Sequence, residues 1–190
     1  MTPLLRLTIW RSAKPDVSGD LPTDISDDVP DEVPGDLEKS PRKAGLSPRN
    51  VAMNWLARRE YSLAELRTRL AEREFSPAVI EATVSALAAD DLVSDERFAE
   101  SLVAVRVRKG QGPVRISAEL KRRGISRELI RLNIDETGLE WNKLASEVRR
   151  KKFGAIMPAD FKEKARQMRF LEYRGFTGEH IRSAVGDDCE

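Results

Sequence analysis

The chain has 190 residues, 34% of them charged and 6% aromatic, with a formal net charge of +1. No apolar run approaches the roughly 20 residues that a membrane-spanning helix needs, and the start has neither a long hydrophobic region nor a small-residue cleavage site. The single cysteine, Cys189, rules out a disulfide framework or a thiolate metal site, so a cytoplasmic protein is expected.

Residues 1–41 carry four basic and nine acidic side chains, whereas residues 42–190 carry 29 and 23, so an acidic tail precedes a basic body. Val17, Leu21, Ile25, Val29, Val33 and Leu37 recur every fourth residue, as in a helix. Pro22, Pro30 and Pro34 oppose one, because each removes a donor and clashes with the preceding turn. With so little to bury, residues 1–46 are expected to be a disordered acidic leader, dispensable for folding. It reads as a solubilising tail or as a polyanion that competes for the body's basic face.

Order is expected from Ser47-Pro48, an N-cap followed by a first-turn proline. Val51, Trp55 and Leu56 line the first helix, and Tyr61 follows it. Ser62-Leu63-Ala64-Glu65 has the capping-box pattern, and Leu63, Leu66 and Leu70 carry a second helix to about Glu74. Ser76-Pro77 opens a third, with Ile80, Val84 and Leu87 inward. Ser94 caps a helix from about Asp95 to Lys109, with Phe98, Leu102 and Val105 as its stripe and Asp95 and Glu96 at the positive end of its dipole. Gly110 and Gly112 break it, Pro113 restarts the chain, and Ile116 and Leu120 form the next stripe. Gly124 suits the left-handed position after that helix, with Ile125 folding back as the hydrophobic contact. Ser126 caps a helix holding Leu129, Ile130 and Ile134, which stops near Gly138. A last trio is marked by Leu144 and Val148, then by Phe161, Ala165, Met168 and Leu171, then by Ile181 and Val185. No stretch alternates with period two, so the fold is expected to be all-α.

The segments repeat at about 50 residues. Arg73-Glu74-Phe75-Ser76 recurs as Arg123-Gly124-Ile125-Ser126 and as Arg174-Gly175-Phe176-Thr177. Ile80, Ile130 and Ile181 follow each Ser or Thr at one offset, and Leu70, Leu120 and Leu171 precede it at another. Trp55, Phe98 and Trp141 take one position in the first helices. Tandem three-helix units are therefore expected over 47–93, 94–138 and 139–190, in an elongated modular array because a unit this small buries little alone. Glu74 departs from the glycine of the other two units, which opens the first turn to a different shape.

Basic residues recur with the repeat. Arg106, Arg108, Lys109, Arg115, Lys121, Arg122 and Arg123 form a central cluster. Arg149, Arg150, Lys151, Lys152, Lys162, Lys164, Arg166, Arg169 and Arg174 form a denser one in the last unit. Arg149 to Lys152 align with Arg106 to Lys109, so both sets are expected to project onto a shared face that binds an anion such as nucleic acid. The chemistry of catalysis is missing. His180 is the sole histidine and reads as a surface residue, Gly110-Gln111-Gly112 is too short for a phosphate loop, and no nucleophile constellation or metal-ligand spacing stands out. Neither enzyme activity, nor a cofactor, nor a metal is expected.

The runs AMNWLARREYSLAELRTR from Ala52 and DERFAESLVAVRVRKGQGPVRISAELKRRGIS from Asp95 resemble the RecX family of bacterial regulatory proteins. The resemblance covers about residues 48–186, and its most specific parts are Asp95 to Ala99, Gly110 to Pro113, and Phe170 to Phe176. It implies tandem three-helix units and a monomer that binds the RecA recombinase and its filament on single-stranded DNA. It also implies limits on recombinase, ATPase and coprotease activities, and so a place in DNA repair, homologous recombination and the SOS response. The basic residues named above are the candidate filament- and DNA-binding positions. The alternatives are a stand-alone helical DNA-binding module, with Arg115 to Arg123 on a recognition helix, and a scaffold for an unrelated acidic protein.

Overall fold

A computed structural model of the chain describes residues 47–136 and 138–186. The acidic leader and Cys189 lie outside the described residues. The elements are α1 (Pro48–Leu56), α2 (Leu63–Glu72), α3 (Pro77–Ala89), α4 (Asp95–Arg108), α5 (Pro113–Arg122), α6 (Arg127–Ile134), α7 (Trp141–Phe153), α8 (Phe161–Tyr173) and α9 (Gly178–Val185). All are α-helices, and no strand occurs among the described residues. No helix there is long and apolar enough to cross a membrane.

Three cores follow from three sets of stripes. The first gathers Leu66, Leu70, Val84 and Leu87 around Tyr61 and Ile80. The second gathers Phe98, Ala99, Val103, Ile116, Leu120 and Ile134, and the third Ala145, Leu171, Phe176, Ile181 and Val185. Leu66, Leu70, Leu120 and Leu171 are fully buried, each contributing roughly 2 kcal/mol by leaving water. Trp141 packs against both the second and the third core and donates its indole N–H to the Ile134 carbonyl at 3.1 Å.

Several sequence expectations need correction. The buried side of α4 runs through Phe98, Ala99 and Val103, while Leu102 and Val105 are only partly buried. In α8 the buried residues are Gln167 and Leu171, whereas Phe161 and Met168 are exposed. Phe98 and Leu171 lie in the cores and Leu102 packs against the second, so the packed face overlaps each expected stripe and takes in Ala99, Val103 and Gln167 beside it. Ser47 and Ser76 take the N-cap position ahead of Pro48 and Pro77 but make no side-chain cap bond. Ser62, Ser94, Ser126, Asp160 and Thr177 do cap, and Ser62 with Glu65 forms the expected box. The Glu74 turn keeps the shape of the others: φ is 63° there, against 81° at Gly124 and 86° at Gly175. In all three, the next amide donates to the leucine carbonyl five residues back, as from Ile125 to Leu120 at 3.1 Å.

The units join end on, through the second helix of each. A helix leaves its first amides and last carbonyls without partners, and here one set meets the other. At the joint of the first and second units, the Ser62 hydroxyl at the start of α2 donates to the Arg123 carbonyl at the end of α5, at 2.7 Å. The Leu63 amide donates to Asp95 Oδ1 at 2.8 Å. At the joint of the second and third units, the Gly112 amide before α5 donates to the Arg174 carbonyl after α8 at 2.8 Å, and the Val114 amide to the Gly175 carbonyl at 3.0 Å. Each contact also brings the positive end of one helix dipole to the negative end of another. The approach is close enough to forbid side chains. A Cβ on Gly112 would lie 2.4 Å from the Gly175 backbone, one on Gly124 would lie 2.4 Å from Ala64 Cβ, and one on Gly175 would lie 2.4 Å from Arg115 Cβ. Among the described residues no helix start docks on the Glu74 turn in this way.

Candidate interaction surface

The recurrent basic positions divide into two populations. Arg106, Arg123 and Arg149 point into the fold. Arg106 holds Glu119 in a two-pronged pair, both bonds 2.7 Å, and Arg123 adds bonds to Glu119 of 3.0 and 3.2 Å and an ion pair to Glu65 of the first unit. Glu119 is 7% exposed. Burial pushes its carboxyl up, but hydrogen bonds and charge from Arg106 and Arg123 outweigh this and hold it below the usual carboxylate range. Arg123 thus ties the C-terminus of α5 to Glu65 in the first turn of α2, each charge complementing its own helix end.

Arg149 does not project with its neighbours. It is 4% exposed, and its guanidinium donates to the carbonyls of Gly154, Ala155 and Ile156 at 3.2–3.4 Å and to Gln167 Oε1 at 3.4 Å. Three backbone carbonyls and an amide replace a carboxylate partner, and the loop after α7 wraps around the side chain. The expectation of a four-residue cationic face from Arg149 to Lys152 is corrected to three, because at this point of the helix the first position faces the core.

The remaining positions face outward or line the second joint. Arg108, Lys109, Lys121 and Arg122 are exposed, as are Arg150, Lys151, Lys152, Lys162, Arg166 and Arg169, while Lys164 is partly buried. Arg166 pairs with Glu163 at 3.3 Å on its own helix. The second joint assembles residues distant in sequence: Arg174 donates to the Lys109 carbonyl at 3.0 Å, and the Arg115 guanidinium lies 5.5 Å from the Tyr173 ring centroid. The structure therefore brings Lys109, Arg115 and Arg174 together, beside a tyrosine that is 67% exposed. His180 also differs from expectation. It is partly buried and completes a capping box, accepting at Nδ1 from the Thr177 amide at 3.3 Å, and burial pushes its imidazole down. The T-G-E-H spacing carried that signal, masked because the box usually ends in Glu or Gln.

Sequence reasoning also missed exposed apolar side chains. Ile156 is 85% exposed and Phe161 86%. The spacing places Phe161 on the inner stripe, yet Asp160 caps the helix and so puts Phe161 at its first position, outside the packed face. No group of three or more His, Cys, Asp or Glu side chains among the described residues is placed to hold a metal ion.

Three three-helix units, each with its own core and joined through their second helices, place the chain among tandem helical-repeat proteins. Models of the RecX first, second and third three-helix domains match residues 49–87, 94–132 and 140–185. The regulatory protein RecX of Halorhodospira halophila is 42% identical over 137 residues, covering 72% of this chain and 85% of the relative. That of Pseudomonas savastanoi pv. phaseolicola is 40% identical over 144 residues, covering 74% and 93%. The crystal structure of RecX from Lactobacillus salivarius superposes with a TM-score of 0.60 at 18% identity, covering 73% of this chain and 92% of that one. The chain belongs to the RecX family of regulatory proteins, and it is a regulator, not an enzyme.

The motifs that carry the resemblance occupy the joints. Asp95 accepts from Leu63 across the first joint, and Arg97 reaches Glu60 of the first unit at 3.4 Å. Gly110 to Pro113 meet Arg174 and Gly175 across the second. They encode how the units are held, and the charged outer faces are written elsewhere.

Proposed function

We propose that the chain modulates the RecA recombinase by binding along its filament on single-stranded DNA, limiting strand exchange, ATP hydrolysis and coprotease activity. Membership of the RecX family supports the partner. The observation that carries the surface is the set of outward cations left once the internal ones are accounted for: Arg108 and Lys109 at the end of α4, and Arg150, Lys151 and Lys152 at the end of α7. Carried on linked units, many weak polar contacts add by avidity, which suits a repetitive partner. A stand-alone sequence-reading module is less well supported. A recognition helix contacts bases with its N-terminal residues, and the N-terminus of α5 is docked on Arg174 and Gly175. The test is RecA-dependent ATP hydrolysis and strand exchange on single-stranded DNA with and without the protein. Both are expected to fall as the protein is added; no effect at several-fold excess over filament sites overturns the reading.

A further inference from the structure

The two most exposed large apolar side chains among the described residues are Ile156, on the short connection between α7 and α8, and Phe161, where that connection enters α8. That connection is pinned from three sides. Arg149, almost wholly buried, binds the carbonyls of Gly154, Ala155 and Ile156. Met157 lies close enough to the end of α9 that a Cβ on Gly186 would come within 3.3 Å of its Cε. Asp160 Oδ1 accepts from the Glu163 amide at 2.7 Å and fixes Phe161 at the first position of α8. Two large apolar groups are thus held outward on a fixed loop. Lysines flank them along the chain: Lys151 and Lys152 in the last turn of α7 lead into the loop, Lys162 follows Phe161, and all three are exposed.

Exposed apolar and aromatic side chains flanked along the chain by exposed lysines match the chemistry of an unpaired nucleic-acid strand, whose bases offer π-faces and whose phosphates need neutralising. A duplex hides its base faces in the stack, and an apolar protein pocket would strip the lysines of water without pairing them. We infer that the α7–α8 loop is a binding site for single-stranded nucleic acid, in which Phe161 stacks on a base, Ile156 packs beside it, and Lys151, Lys152 and Lys162 meet the flanking phosphates. The site rests on the filament reading only in that single-stranded DNA is then at hand; its binding needs no recombinase.

The experiment compares the full chain with Phe161→Ala and Phe161→Trp, by fluorescence anisotropy, on oligo-dT and on an abasic oligonucleotide of equal length and charge. Phe161→Ala is expected to weaken oligo-dT binding about tenfold, leaving its salt slope and the abasic affinity unchanged, with an unaltered melting temperature. Phe161→Trp is expected to retain affinity, and its added fluorescence to be quenched by oligo-dT but not by the abasic strand. The inference is overturned if the parent chain does not bind oligo-dT, if Phe161→Ala binds it unchanged, or if both strands are lost equally. It is also overturned if the variant loses only its effect on RecA, which would make the loop a protein contact. Base-dependent binding with no effect on RecA hydrolysis would instead sink the filament reading and leave this site standing.

Discussion

At the scale of single residues, the arginines of this chain do two different jobs that composition cannot separate. Glu119 is surrounded by Arg106 and Arg123 and keeps its charge against the cost of burial. Removing it leaves two half-sequestered guanidinium groups facing each other, so Glu119→Gln is expected to destabilise the fold by about 3 kcal/mol in a chemical denaturation series. The pH dependence has a definite sign. A carboxyl whose folded pKa lies below its ordinary value near 4.5 stabilises fully above that value and loses the contribution as pH falls through the lower, folded one. Stability of the parent chain should therefore fall with acid in that window more steeply than that of Glu119→Gln. Arg149 gives a second contrast. Arg149→Ala strands three loop carbonyls and Gln167 and should cost about 2 kcal/mol. Changing the exposed Arg150, Lys151 and Lys152 together to alanine should shift the melting temperature little. If these three meet phosphate, that triple variant lowers the salt slope of filament binding by about 2, at roughly 0.7 per contact on single strands.

At the scale of elements, the second helices act as connectors. α5 presents its amide end to α8 and its carbonyl end to α2, so its termini are satisfied by neighbouring units, where an isolated three-helix unit would leave them to water. Glycine is required where backbone meets backbone. Gly112→Ala would drive a methyl group into the Gly175 carbonyl, and the second joint should open, with a loss of about 3 kcal/mol as packing and both joint hydrogen bonds go. Gly154 also has positive φ, 87°, but a Cβ there meets nothing within 4 Å. With ψ at −179°, Gly154→Ala should cost only the strain of an alanine in a backbone region kept almost entirely by glycine, about 2 kcal/mol. Thermal unfolding of the two variants side by side checks the difference; equal losses would mean that the close approach does not hold the joint.

At the scale of the whole molecule, the two joints differ in kind. The second shares Trp141 between cores and closes through backbone bonds. The first is mostly polar and ionic, through Asp95, Ser62, Glu65 and Arg123. Charged contacts weaken with salt whereas apolar burial does not, so the first joint is the weaker one in salt. Asp95→Ala should release the Leu63 amide, raising its hydrogen exchange severalfold, while the amides of Gly112 and Val114 stay protected. Equal exchange at both joints, with and without the substitution, would contradict this.

Much of this was written in the order of residues. Leu70, Leu120 and Leu171 ahead of each tight turn, and Ile80, Ile130 and Ile181 beyond it, mark the repeat because a left-handed turn between two helices fixes which side chains fall inward. Period, caps and breakers are local, and they determine the helices and the three-unit plan. What spacing could not decide is which arginine faces in. Arg149 and Arg150 are neighbours of identical chemistry, and only the loop folded back from Gly154 to Ile156 makes one a buried strut and leaves the other in water. The same holds for Phe161, apolar yet outside its core, and for Gly112 and Gly175, distant in sequence and pressed backbone to backbone. Burial belongs to the neighbours a side chain acquires from other units, and those contacts arise only when helix ends with unsatisfied amides and carbonyls find one another in three dimensions.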